Sequence, residues 1–319
     1  MERGRRLTDQ ELATAELLIQ DPFALGRLSS GRPLSEQEFV ILGEYHQPET
    51  ADLMWCSHCQ AHRHRNGFVI EVNGETRHLI GSHCGQAHYG ASFSAARAGH
   101  SELRSRQSVL GRLRLILDVS DELLKATRAV MRSPALELVA SKRAEFDSAR
   151  GDLAFRLASA VIAGGFVEEV KVRNYAAEQR RGREGPPIYT TERRGIGPVE
   201  GEALFRGDFC RDSLLALQEA LSQIARDARG GTDRLSTLKL TNLVRKVEEA
   251  WDRASEDCEK LRDAPRFFSP SNLDRLLRWA AQFNSFTAGV DRTAVVVGGK
   301  RIEPLPDLES LSFPDRDAM

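Results

Sequence analysis

WCSHC at residues 55–59 and GSHCGQAH at residues 81–88 bracket the stretch on which the fold turns. In the first, two cysteines separated by two residues let both sulfurs of one tight turn face a single ion, and the backbone between them can donate hydrogen bonds to those sulfurs. In the second, Cys84 and His88 lie four apart, so a helix starting at Cys84 sets both side chains on one face, a turn apart. Between the two, the run FVIEV alternates, Asn73 with Gly74 favours a type I′ turn, and a second apolar run ends at Ile80. These features predict a hairpin held at its base by a metal ion.

A Cys-x-x-Cys, then 24 residues carrying a hairpin, then a Cys-x-x-x-His resembles the zinc-ribbon and treble-clef group of small zinc modules. The resemblance covers residues 54–92 alone, and histidine in last place departs from the commoner four-cysteine pattern. It implies a knuckle, a hairpin and a helix start clamped by one tetrahedral Zn2+, with Cys56, Cys59, Cys84 and His88 as ligands. His83 is the alternative fourth ligand; as the neighbour of Cys84 its side chain should diverge from that sulfur. His58, His62 and His64 are further candidates, and on an extended strand His62 and His64 point to the same side as a polar surface pair.

Three thiolates and an imidazole close the tetrahedron and quench the Lewis acidity of the ion, so the metal is expected to be structural and the protein non-catalytic. A module of about 40 residues has too little apolar area to fold without a staple, and zinc supplies roughly 10–16 kcal/mol in comparable peptides. A metal-dependent nuclease of the His-Asn-His type is a third-ranked reading resting on His62 or His64, and no Asp-His pair supports it. The chain also has no G-x-x-x-x-G-K-[ST] phosphate loop, no G-x-S-x-G elbow and no H-E-x-x-H.

Outward from this stretch, 319 residues exceed what one core usually holds. The composition, 41% hydrophobic and 29% charged, is that of a globular protein. The five cysteines are odd in number and three crowd between 56 and 84, which suits metal ligation in a reducing compartment, so a cytoplasmic location is expected. No apolar run reaches the roughly 20 residues of a membrane span, so no membrane partner is expected.

The fold class expected is mostly α, a multi-domain α+β chain with a small zinc-stabilised β-hairpin module near its N-terminus and a minor β element in the middle. Residues 1–50 should form an N-terminal helical pair, since Thr8 with Glu11 and Ser35 with Glu38 have the capping-box form; the helices fall near 8–20 and 35–45. Residues 51–100 are the zinc module and 101–165 long amphipathic helices, with apolar pairs every seven residues from Val109 with Leu110 to Val130 with Met131. The polar residues Arg106, Ser120 and Thr127 interrupt this stripe, so an intrachain bundle competes with a self-associating coiled coil through 101–132. Residues 166–209 read as mixed strands and loop. Residues 210–319 read as a C-terminal helical domain, with Ser269 capping a helix that opens on Pro270 and a terminal hairpin turning at Gly298 and Gly299.

The net charge is −1, yet residues 101–194 carry 18 Lys or Arg against 13 acidic residues. The first function expected is therefore binding of nucleic acid, DNA or RNA, through the zinc module and the adjacent Arg-rich helix. The residues nominated are Arg63, Arg65 and Arg77 on the hairpin, Arg104, Arg106, Arg112 and Arg114 on the helix, and Arg180, Arg181 and Arg183 in a loop with Arg193 and Arg194 close by. The alternative is a protein–protein adaptor or assembly subunit using its amphipathic helices. Isolated charge runs are also found as plain solvated faces.

Overall fold

The computed structural model describes residues 7–26, 28–34, 37–149, 153–182, 185–201, 204, 211–281, 288–290, 295–297, 300–303, 305, 313–314 and 316. They are mostly helical with small antiparallel sheets. No described helix is long and apolar enough to cross a membrane. The chain divides into two compact units, residues 1–118 with 224–245 and residues 119–223 with 246–319.

The first unit opens with helix α1 (Asp9–Thr14), where Thr8 and Glu11 form the reciprocal capping box. The helix stops at Thr14, well short of residue 20. Leu17 and Ile19 are buried while Leu18 between them is exposed, and this period of two is that of a strand. Ile19 N donates to Glu44 O at 2.7 Å and Glu44 N to Leu17 O at 2.9 Å.

The helix expected at 35–45 is instead strand β1 (Phe39–His46). Phe39, Val40 and Ile41 are aromatic or β-branched, and the strand pairs antiparallel with β4 (Asn66–Val72), Phe39 opposite Val72 and Ile41 opposite Ile70. An N-cap contributes only about 1 kcal/mol, which such a ladder outweighs. Ser35 itself lies outside the described residues.

Strands β2 (Met54–Cys56) and β3 (Ala61–His64) form a two-stranded ribbon, while β5 (Thr76–Ile80) completes a sheet of order β1-β4-β5. The β4–β5 turn has Asn73 at φ 52° and Gly74 at φ 75°, the left-handed pair that a type I′ turn requires. On one face of the central strand β4, Phe68, Ile70 and Val72 pack with Ile80, Tyr89 and Phe93, which belong to β5, helix α2 (Ser82–Tyr89) and helix α3 (Ala91–Arg132). On the other face Val69 packs with Ile19, Tyr45, Met54 and Leu79. Both faces are covered, which is why the strand reads as a nearly continuous apolar run.

In α3 the sevenfold stripe is partly buried: Val109, Leu110, Leu113, Ile116, Leu123 and Val130 are inside, while Leu117, Leu124 and Met131 are half-buried. Its polar interruptions are accommodated individually. Thr127, fully buried, donates to Leu123 O at 2.7 Å, and Arg106 is buried in an ion pair with Asp9.

The second unit holds α4 (Pro134–Ala149), α5 (Leu153–Ile162), an antiparallel pair of β6 (Phe166–Arg173) and β7 (Tyr189–Gly197) with α6 (Tyr175–Arg181) between them, and α9 (Pro270–Ala280). Helices α7 (Arg211–Arg229) and α8 (Thr237–Phe267) contribute residues to both units. The minor β element of the middle is thus a two-stranded ribbon. The segment read as loop from 178 is helical as far as Arg181. Ser269 Oγ accepts from Asn272 N, and Pro270 opens α9 as its cap predicts. Strands β9 (Val295–Val297) and β10 (Lys300–Ile302) pair as the terminal hairpin, joined by a third strand, β8 (Ala288–Val290); Gly298 and Gly299 lie outside the described residues.

Candidate metal centre

Cys56 ends β2 opposite Ala61, and the knuckle between them closes through Gln60, which adopts φ 54° and donates its N–H to Cys56 O at 2.8 Å. Ser57 N donates to Leu79 O at 2.9 Å, tying the knuckle to β5. Cys84 lies in the first turn of α2, so the hairpin delivers it to the knuckle as the spacing requires. The sulfurs of Cys56, Cys59 and Cys84 lie within 4.8 Å of one another. A zinc–sulfur bond of about 2.3 Å puts tetrahedral sulfurs about 3.8 Å apart, so a small contraction seats all three on one ion.

The electrostatics fit a cation. Burial opposes ionisation of Cys56, but the His64 ring beside its sulfur and hydrogen bonds from the N–H groups of Cys59, Gly81 and His58 bring the thiol down to about 5. Cys84 moves the other way, pushed up to about 12 by burial and by the Cys56 and Cys59 sulfurs beside it. Crowded thiolates repel one another, and a divalent ion among them removes that cost. Three soft sulfur donors suit a thiophilic ion such as zinc, and they supply three of the four positions such an ion takes. When bound, the ion would cross-link the knuckle to the start of α2.

No histidine atom joins the three sulfurs within the 4.8 Å limit, among the described residues. His88 turns Nε2 to the Pro33 carbonyl at 2.9 Å, and its ring centroid lies 4.6 Å from that of His58. His83 is exposed. His62 is also exposed, with Nδ1 2.6 Å from Leu53 O and its ring edge-on to Trp55. His64 is not its surface mate: its Nδ1 meets the hydroxyl of Tyr45 at 3.2 Å, and Tyr45 is wholly buried.

The nominated arginines divide. Arg77 is held by Glu71 and the Leu25 carbonyl, Arg104 by Glu44, and Arg106 by Asp9. Arg65 is half-buried and donates from Nε to Ala51 O at 3.3 Å. Arg63, Arg112, Arg114, Arg180 and Arg181 are exposed, and Arg183 lies outside the described residues. Reading residue by residue missed how the ribbon gathers charge: Lys171, Arg173, Arg193 and Arg194 are exposed on β6 and β7 beside Tyr175 and Tyr189. The alternation of Lys171 and Arg173 with Val170 and Val172 was the pattern that could have shown it. Arg173 sits 5.0 Å from the centre of the Tyr175 ring and opposite Tyr189 in the ladder. No protein-family model matches the chain, and neither a curated protein nor a solved structure matches it.

Proposed function

We propose that the chain is a non-catalytic nucleic-acid-binding protein whose 54–92 module is stapled by one Zn2+ on Cys56, Cys59, Cys84 and a histidine. The carrying observation is the β6–α6–β7 segment. Every position of β7 from Tyr189 to Gly195 is exposed; Lys171, Arg193 and Arg173, the last held by Glu178, lie on one face of the ribbon with Tyr189, Arg194 faces the other way, and Arg180, Arg181 and Tyr175 are exposed on α6. Cations suit phosphates and aromatic rings suit bases. The ion pairs Arg193–Glu169 and Arg194–Glu192 are well exposed, so each holds its arginine by under about 1 kcal/mol and yields it to a phosphate.

Arg77, Arg104 and Arg106 already serve carboxylates of this chain, so the reading rests on the ribbon segment rather than on those three. Much of the apolar stripe of α3, the motive for self-association, is buried within the chain, with Leu117, Leu124 and Met131 half-buried. A protein adaptor remains the second reading, favoured by the exposure of Phe23 (62%) and Leu34 (67%).

The test is fluorescence anisotropy of labelled DNA and RNA oligonucleotides, single-stranded and duplex, over a salt series. The reading requires binding at low salt that weakens steeply with log salt and falls when Arg180 and Arg181 become alanine. No binding at low salt refutes it.

A further inference from the structure

His64 carries a feature that the spacing did not single out. Its Nε2 is buried and has no hydrogen-bond partner, while the ring meets the sulfur of Cys56. A buried imidazole nitrogen without a partner is costly unless something else engages it. The other nitrogen, Nδ1, is engaged by Tyr45 Oη at 3.2 Å. If Nδ1 carries the proton and donates it to that hydroxyl, the lone pair stands on Nε2. Metal-binding histidines are oriented in this way, with the far N–H held by an outer partner.

The backbone is cut to make room for this pair. A Cβ on Gly81 would stand 2.8 Å from His64 Cδ2, and one on Gly67 2.7 Å from Tyr45 Oη. The N–H of Gly81 meanwhile donates to Cys56. Gly67 in β4 and Gly81 at the N-cap of α2 thus admit a Tyr–His pair that leads from the core beneath β4 to the cysteine cluster.

We propose that His64, through Nε2, is the fourth ligand of the metal on Cys56, Cys59 and Cys84, and that Tyr45 positions it. The inference rests on the metal reading above and replaces His88 as the closing ligand. His88 points its Nε2 at Pro33 O and lies tilted against His58, a role in fastening Pro33 to α2.

The test uses the full chain. Native mass spectrometry gives the metal count, chelator competition the zinc affinity, and the visible spectrum of the Co2+-substituted protein the donor set. His64→Ala should lower zinc affinity at least 100-fold and alter the cobalt spectrum, His88→Ala should leave both near wild type, and Tyr45→Phe should cost about 10–100-fold in affinity. Because His64→Ala risks misfolding, long-range 1H–15N spectra of the wild-type zinc protein give a second readout: His64 must show a metal-bound Nε2 and a protonated Nδ1. A metal-bound nitrogen on His88 and none on His64 overturns the inference while leaving the metal reading intact. A wild-type chain without stoichiometric zinc ends both.

Discussion

Replacing Arg106 with glutamine separates a structural arginine from a phosphate-binding one. Nε and Nη2 of Arg106 donate to the two Asp9 oxygens at 2.5 and 2.8 Å, a bidentate fork with both side chains under a tenth exposed. The same guanidinium donates to Thr232 O at 3.0 Å and Leu235 O at 2.9 Å. It thereby joins α1 and the 232–237 turn to α3. Glutamine cannot reproduce the fork and leaves the Asp9 carboxylate buried without its cation. Breaking such a pair costs about 3–5 kcal/mol. With a urea dependence near the upper figure of about 3 kcal/mol per molar, the first unfolding midpoint should fall by about 1–2 M. Amides of α1 and of residues 232–237 should exchange faster. Replacing both partners, Asp9→Leu with Arg106→Met, should recover much of the loss, because the penalty lies in the unpaired charge. An unchanged midpoint combined with weakened oligonucleotide binding would refute the assignment of Arg106 to the interior.

Other outcomes follow from the same packing. Burial beside Phe68 lowers the His100 pKa, outweighing the nearby Glu44 carboxylate, so the unfolded chain binds more protons than the folded one below about pH 6.5. Its contribution is complete above that pH and is lost as pH falls toward the folded value; the urea midpoint should drop between pH 7.5 and 5.5, and less so in His100→Gln, an equal drop counting against it. His78, also lowered by burial, adds in the same direction. Gly85→Ala would set a Cβ 2.3 Å from the ring of Phe93, a core side chain, so the overpacking cost of about 1–3 kcal/mol should exceed the roughly 1 kcal/mol of added helix propensity. Thermal unfolding checks the sign, and a stabilised variant would contradict this packing. Removing metal with a chelator should release amide protection across 54–93 first, since ion binding and folding of that module are one free energy; protection unchanged there would show that the cysteines need no ion.

Local rules made part of this fold legible. Asn73 with Gly74, Thr8 with Glu11, and Ser269 with Pro270 each encode their structure within four residues, and each appears where its chemistry put it. The strand Phe39–His46 was hidden because its partner, β4, begins at Asn66, and no local pattern reports a ladder formed over such a distance. The approach of Tyr45 and Gly81 to His64, beside the cysteine cluster, was hidden for the same reason. Arg106 shows a different failure. Its place in the α3 stripe, three residues before Val109 and seven before Leu113, marks a buried face, whereas its charge suggested a surface; the position decided, because Asp9 was there to receive it.

That outcome narrows what any nucleic acid can touch. With Arg77, Arg104 and Arg106 held by Glu71, Glu44 and Asp9, and Arg173 by Glu178, the ribbon offers Arg193 and Arg194, whose carboxylate contacts are exposed and weak, and the exposed Lys171, with Arg180 and Arg181 exposed on α6. A single strand neutralising four of them, Lys171, Arg180, Arg181 and Arg193, should bind with a log–log salt slope of about −3, since each phosphate contact on a single strand contributes about −0.7. Raising salt from 50 to 200 mM then weakens binding about 50-fold. Replacing Arg180 and Arg181 by alanine should bring the slope to about −1.4, while Arg104→Ala should leave it unchanged. A slope that responds to Arg104 and ignores the ribbon would return the binding surface to the zinc module, and would mean that Arg104 gives up Glu44 for a phosphate.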